Sequence, residues 1–181
     1  MNENIAKRNA LLARKVIQGL ASRNMSGHWA ASREEALAVA LSLVPEGSSV
    51  AMGGCTSARE IGLVDALRAG NYNFIDRDAF ADKRAAMLAA YDADVFLASA
   101  NAITEDGEIV NVDGNANRVS AIAQGPRKVV FVVGMNKVRP DLGHLLNGKP
   151  FFPLSGSWLE ATIPISYIVG EKQWKFFVLL I

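Results

Sequence analysis

The stretch Ser49-Val50-Ala51-Met52-Gly53-Gly54-Cys55-Thr56-Ser57-Ala58-Arg59-Glu60 decides the fold class. Ser49–Met52 is a short apolar run, which reads as a buried strand. Two glycines then let the chain turn sharply. Ser57 and Glu60 have the spacing of a capping box, which predicts a helix carrying Ile61, Val64, Ala66 and Leu67 and closed by Gly70. A buried strand running through a tight loop into a helix is the first half of a βαβ unit.

The same rhythm extends both ways. Upstream, Ile5, Leu12, Val16, Ile17 and Leu20 lie on one helical face. Residues 24–27 break it, and Ser32 with Glu35 opens a second helix that ends near Pro45. Downstream, Tyr72–Ile75 reads as a strand, Ala79–Tyr91 as a helix and Asp94–Ala98 as a strand. Glu105-Asp106-Gly107 reads as a hairpin turn, Asn115–Gln124 as a short helix and Lys128–Val133 as the most β-branched strand. Alternating strands and helices predict one α/β domain over residues 1–181, with a mainly parallel sheet covered by helices on both faces.

Composition narrows the partners. The 181 residues hold 19 Lys+Arg and 18 Asp+Glu, for a net charge of +1, and half of them are hydrophobic. That profile predicts a cytoplasmic globule and argues against nucleic acid as the main partner. One cysteine and two histidines are too few for a disulfide framework or a zinc site. Lys7, Arg8, Arg14 and Lys15 interrupt the apolar pattern of the first 23 residues, unlike an export signal. Glu171, Lys172 and Lys175 interrupt the apolar stretch 163–181, so no membrane span is expected there. No cofactor is expected, because the Gly-Gly loop is neither a Walker loop nor a dinucleotide fingerprint.

Ligands of parallel sheets bind at the carboxyl ends of strands. This rule selects four loops, at residues 53–57, 99–106, 113–118 and 134–137. In the first, Gly53, Gly54, Cys55, Thr56 and Ser57 either seat an anion on free amides or only make the turn, with the capping box using the donors. Cys55 reads as a buried thiol. In the second, Asn101 can donate and accept, while Glu105 is an acid–base candidate or a solvated hairpin residue. In the third, Asp113 and Gly114 precede a helix whose first turn carries Asn117 and Arg118. A cation there opposes the helix dipole, so Arg118 either grips a carboxylate or phosphate or pairs internally with Asp113. In the fourth, Asn136 and Lys137 close the Lys128–Val133 strand, and Lys137 offers a second positive charge.

Taken together, residues 53–63, 71–78, 101–118 and 134–137 resemble the LUD domain, the family of lactate utilization proteins. The resemblance runs from the start to about Leu142. It implies the Rossmann-like fold shared by ribose-5-phosphate isomerase, glucosamine-6-phosphate deaminase and CoA transferases, with the site at the loops already chosen. It further implies a role in oxidising lactate to pyruvate, with a small anionic metabolite as ligand and an iron–sulfur partner subunit. A non-catalytic assembly subunit of such a complex is the alternative. Two departures stand out. Cys55 occupies a position where the family usually has a small hydroxyl residue. Residues 143–181 lack the family's usual cysteines, so they are either divergent or the product of a shifted reading frame. Tail strands are expected at Ser166–Val169 and Trp174–Ile181, the latter an aggregation-prone edge unless it is covered.

Overall fold

A strand of six residues, β7 (Lys128–Val133), runs through the middle of the molecule between β4 (Val95–Ala98) and β10 (Lys175–Leu180). The computed structural model describes residues 3–113, 116–142, 162–164 and 175–181, and only the backbone of 162–164 and 175–176. Outward from this centre, β1 (Ser26–Trp29) flanks β10, while β2 (Ser49–Met52) and then β3 (Asn73–Ile75) follow β4. All five pairings are parallel.

Alternation along the strands divides the core in two. Val129, Phe131 and Val133 of β7 point to one face with Phe96 of β4. There they meet Ala13, Val16 and Leu20 of α1 (Glu3–Ser22) and Ala121 and Ile122 of α6 (Asn117–Gln124). Val130 and Val132 point the other way with Val95 and Leu97. They meet Ala36 and Ala40 of α2 (Arg33–Ser42), Ala58 of α3 (Thr56–Glu60), and Leu63 and Leu67 of α4 (Leu63–Ala69). Strands buried on both faces are continuously apolar, as expected of a covered parallel sheet. The expected α/β architecture is therefore present.

A smaller mixed sheet lies beside it, in the order β8 (Val138–Arg139), β5 (Ala102–Thr104), β6 (Ile109–Val112), β9 (Thr162–Pro164). β5 and β6 form the expected hairpin, with Gly107 at φ +79°.

Several expectations are corrected. Residues 24–27 are not merely a break, because Ser26–Trp29 forms β1. As a half-exposed edge strand it carries little apolar signal, and its partner β10 lies at the far end of the chain. β10 itself is interior, paired on both sides, so the last strand is not an open edge. The tail strand at Ser166–Val169 lies outside the described residues.

The Ser32 box forms: Ser32 Oγ accepts from Glu35 N at 3.1 Å, and Glu35 Oε2 accepts from Ala31 N at 2.8 Å. The Ser57–Glu60 box does not. The chain is already helical at Thr56, Cys55 occupies the cap without a side-chain bond, and Ser57 is buried inside the first turn. Gly62, at φ +78°, then divides the expected single helix into α3 and α4. Likewise α5 spans Lys83–Tyr91 rather than starting at Ala79. Asp82 Oδ1 caps it through Arg84 N at 2.8 Å, and a 3₁₀ turn at Arg77–Ala79 precedes it.

Candidate functional site

From β2 the chain steps outward to β3 and then returns past β2 to β4, with α3 and α4 on one face and α5 on the other. The strand order therefore reverses between β2 and β4, and the crevice beyond their carboxyl ends is where such sheets take ligands. Gly53 N donates to Leu97 O at 3.0 Å, holding the Gly-Gly loop at this point.

Two adjoining cavities open here. The smaller, about 180 Å³, is lined by Gly53, Gly54, Cys55, Thr56, Arg59 and the Phe74–Asp78 segment. The larger, about 530 Å³, lies between α5, the start of α6 and the ends of β2 and β4. Gly53 borders both. A Cβ on Gly53 would stand 3.2 Å from Phe96 Cζ and 3.3 Å from Arg118 Cγ, so the stem of Arg118 packs directly behind the loop.

The guanidinium of Arg118 is internally engaged. Its Nη2 donates to Asn101 Oδ1 and to Val112 O, both at 2.8 Å, and lies 2.9 Å from Asp113 Oδ1. Asp113 Oδ2 in turn accepts from Val119 N at 2.7 Å, and Asn101 Oδ1 also accepts from Val112 N at 3.0 Å. Of the two alternatives for Arg118, the internal pair with Asp113 is the one formed. Arg118, Asp113 and Asn101 together tie β6 to α6 behind the crevice.

Lys137 differs. Its Nζ donates to Ser99 Oγ at 2.7 Å, and it makes no ion pair among the described residues. Burial pushes its pKa down, partly offset by Cys55 and Glu60. The Cys55 thiol is pushed up by burial, against weaker opposing effects from neighbouring amides and from Lys137 and Arg118. Burial therefore favours the protonated thiol at Cys55, the less nucleophilic form.

The remaining candidates divide. Gly53, Gly54, Cys55 and Thr56 line the smaller cavity, and Asn117 lines the larger. Ser57 is buried within α3. Glu105 pairs with Lys15 of α1 at the hairpin, and its carboxylate lines neither cavity. Asn136 is exposed in the 3₁₀ turn Met135–Lys137. Gly114 lies outside the described residues.

Sequence reasoning passed over Arg59, Arg77, Asp78, Phe80, Lys83, Arg84 and Met87, all of them cavity-lining. Arg77, Asp78 and Phe80 belong to the loop after β3, itself a strand end, and Lys83, Arg84 and Met87 to the helix that follows it. The signal was Asp82, whose capping position shortens the helix and frees residues 76–82 as a loop. Asp78 lies 4.0 Å from Arg59 Nη2 and 3.7 Å from Arg77 Nε, with all three side chains more than half exposed. Such contacts are weak and exchangeable. Asp76 is held instead by Arg68, whose bond pulls its carboxyl below the usual range.

No helix of the described residues is long and apolar enough to cross a membrane, and no group of three or more His, Cys, Asp or Glu among them is placed to hold a metal.

The parallel sheet, its two helical layers and the crevice at the strand reversal define a Rossmann-like α/β protein. The LUD domain profile matches residues 13–149, about three quarters of the chain, and the protein belongs to the LUD domain family. The fold is similar to the crystal structure of a DUF162 family protein from Deinococcus radiodurans. That similarity has a TM-score of 0.54 at 12% identity and covers 95% of this chain and 98% of the other. Among curated proteins no match is found.

Proposed function

We propose that this LUD domain binds a small hydroxy- or keto-acid anion in the smaller cavity, in the service of lactate oxidation to pyruvate. One observation carries the reading: Arg59 and Arg77 converge on a cavity of about 180 Å³ beside the Gly53–Thr56 loop, and their shared carboxylate partner, Asp78, is held at long range. A three-carbon acid, at about 30 Å³ per water displaced, fills roughly three or four water volumes and fits such a space. Its carboxylate would take the guanidinium contact that Asp78 holds loosely. Lys137, half-buried and without an ion pair among the described residues, adds positive potential behind the loop.

Oxidation of lactate to pyruvate releases two electrons and two protons. As part of the proposal, the two electrons pass to an iron–sulfur partner subunit, the two protons leave to solvent, and this chain supplies the binding pocket. The test is calorimetry and thermal shift of the full chain with lactate and with pyruvate. Saturation at about 100 times Kd adds about 2.7 kcal/mol of stability. Arg59→Ala is expected to abolish the shift. A wild-type protein that neither ion stabilises would overturn the reading.

A further inference from the structure

The larger cavity is built for something other than a three-carbon acid. At about 530 Å³ it falls within the ~300–1,000 Å³ of pockets that take drug-sized ligands. Three elements give it large apolar lining residues: Phe96 from β4, Met87 from α5 and Phe80 from the loop between β3 and α5. Phe80 is 37% exposed, a large ring left open to solvent at the cavity wall.

Lys83 and Arg84, consecutive and exposed on the first turn of α5, also line the cavity and form its cationic rim. Neither makes an ion pair among the described residues. Two cations at a helix start oppose the dipole, a cost that the capping carboxylate of Asp82 offsets in part. Asp78, also on the lining, supplies a carboxylate acceptor.

Cations, a carboxylate acceptor and an aromatic-lined slot match the three parts of one ligand class. We propose that this cavity binds a nucleoside monophosphate. Lys83 and Arg84 hold the phosphate, Asp78 accepts from the sugar hydroxyls, and the base lies among Phe80, Met87 and Phe96. Binding is non-covalent. The two readings share Arg77 and Asp78, which line both cavities, but Arg59 lines only the smaller and Lys83, Arg84 and Phe80 only the larger, so variants at these four residues tell the readings apart.

The experiment titrates the full chain with AMP, adenosine, ribose 5-phosphate and inorganic phosphate by calorimetry. AMP is expected to bind about tenfold or more tightly than any of the three fragments, since only it engages rim and slot together. The double variant Lys83→Glu/Arg84→Glu is expected to weaken AMP about tenfold or more without lowering the melting temperature, both residues being exposed and glutamates suiting a helix start better than cations. Phe80→Ala should weaken AMP and leave ribose 5-phosphate as it was. Arg59→Ala should keep AMP binding, whatever it does to lactate. No AMP binding at millimolar concentration, AMP no tighter than phosphate, or AMP binding indifferent to the double charge reversal would each overturn the proposal. Lactate binding that survives such a failure would leave the small-anion reading standing.

Discussion

Arg118 and Asp113 form a pair 2.9 Å apart in which neither side chain is more than 14% exposed. The pair is the hub of a local network, since the same guanidinium nitrogen also holds Asn101 and the Val112 carbonyl. Removing one member of a buried pair leaves the other charged and unpaired, at a cost of about 3–5 kcal/mol. Arg118→Ala is therefore expected to destabilise by roughly that amount in urea denaturation. Arg118→Met with Asp113→Asn should recover much of the loss, because neither residue then holds an unpaired charge. A ligand that binds normally to the double variant would confirm that Arg118 supports the site without touching the ligand.

Helix α1 and the β5–β6 hairpin meet through two glycines. A Cβ on Gly19 would stand 2.4 Å from Asp106 C, and one on Gly107 would stand 2.4 Å from Gly19 C. Backbone approaches this close leave no room for a methyl group, and Gly107 is also in the left-handed region. Gly19→Ala is expected to cost about 1–3 kcal/mol through overpacking. Gly107→Ala should cost more, because it adds about 1–2 kcal/mol of left-handed backbone strain. For a chain of this size each kcal/mol lowers Tm by about 2–4 °C, so thermal melts separate the two variants.

Lys137 gives a pH test. Burial lowers its pKa in the folded chain below the ordinary 10.5, with Arg118 acting in the same direction and Cys55 and Glu60 opposing. Between the folded value and 10.5 the unfolded chain holds more protons at this site, so its contribution to stability rises with pH there; below the folded value the cost of the buried charge is fully present. Lys137→Met is thus expected to raise Tm at pH 7 in the absence of ligand, and the gain should shrink as pH climbs towards 10.5. The same variant should bind lactate more weakly. A Tm that falls at pH 7 would show that the Ser99 hydrogen bond outweighs the burial cost.

How far the sequence carries the fold follows from where each strand lies. β7 and β2 are legible residue for residue, because a parallel strand covered on both faces is an unbroken apolar run. β1 is not, since its four residues are half-exposed and its hydrogen bonds come from residues about 150 positions away. The glycine loop, Asn101, Arg118 and Lys137 do gather at one end of the sheet, as strand-end logic requires. What the pattern could not resolve was which cation is already partnered: Asp113 lies five residues from Arg118, and spacing alone does not distinguish an ion pair from a ligand site. The cavity-lining loop after β3 was hidden for a local reason. Helical periodicity read back to Ala79 absorbed Phe80 and the residues around it, whereas Asp82 starts the helix only at Lys83.

Gly53 and Gly54 are adjacent yet should respond oppositely to the same substitution. A Cβ at Gly53 meets Phe96 and Arg118 at 3.2 and 3.3 Å, whereas one at Gly54 meets nothing within 4 Å. Gly53→Ala pushes against a core ring and the stem of an arginine held by three polar contacts, so neither neighbour yields freely. A loss of about 1 kcal/mol or more is expected. Gly54→Ala meets no such resistance and restricts the unfolded chain, so it should be neutral or stabilising by about 0.4–1 kcal/mol. Both residues line the smaller cavity, and the added methyl of Gly54→Ala occupies open space there. That variant is therefore the sharper probe: a protein as stable as wild type that binds lactate more weakly places the anion against the loop. Unchanged lactate affinity in stable Gly54→Ala would move the anion elsewhere.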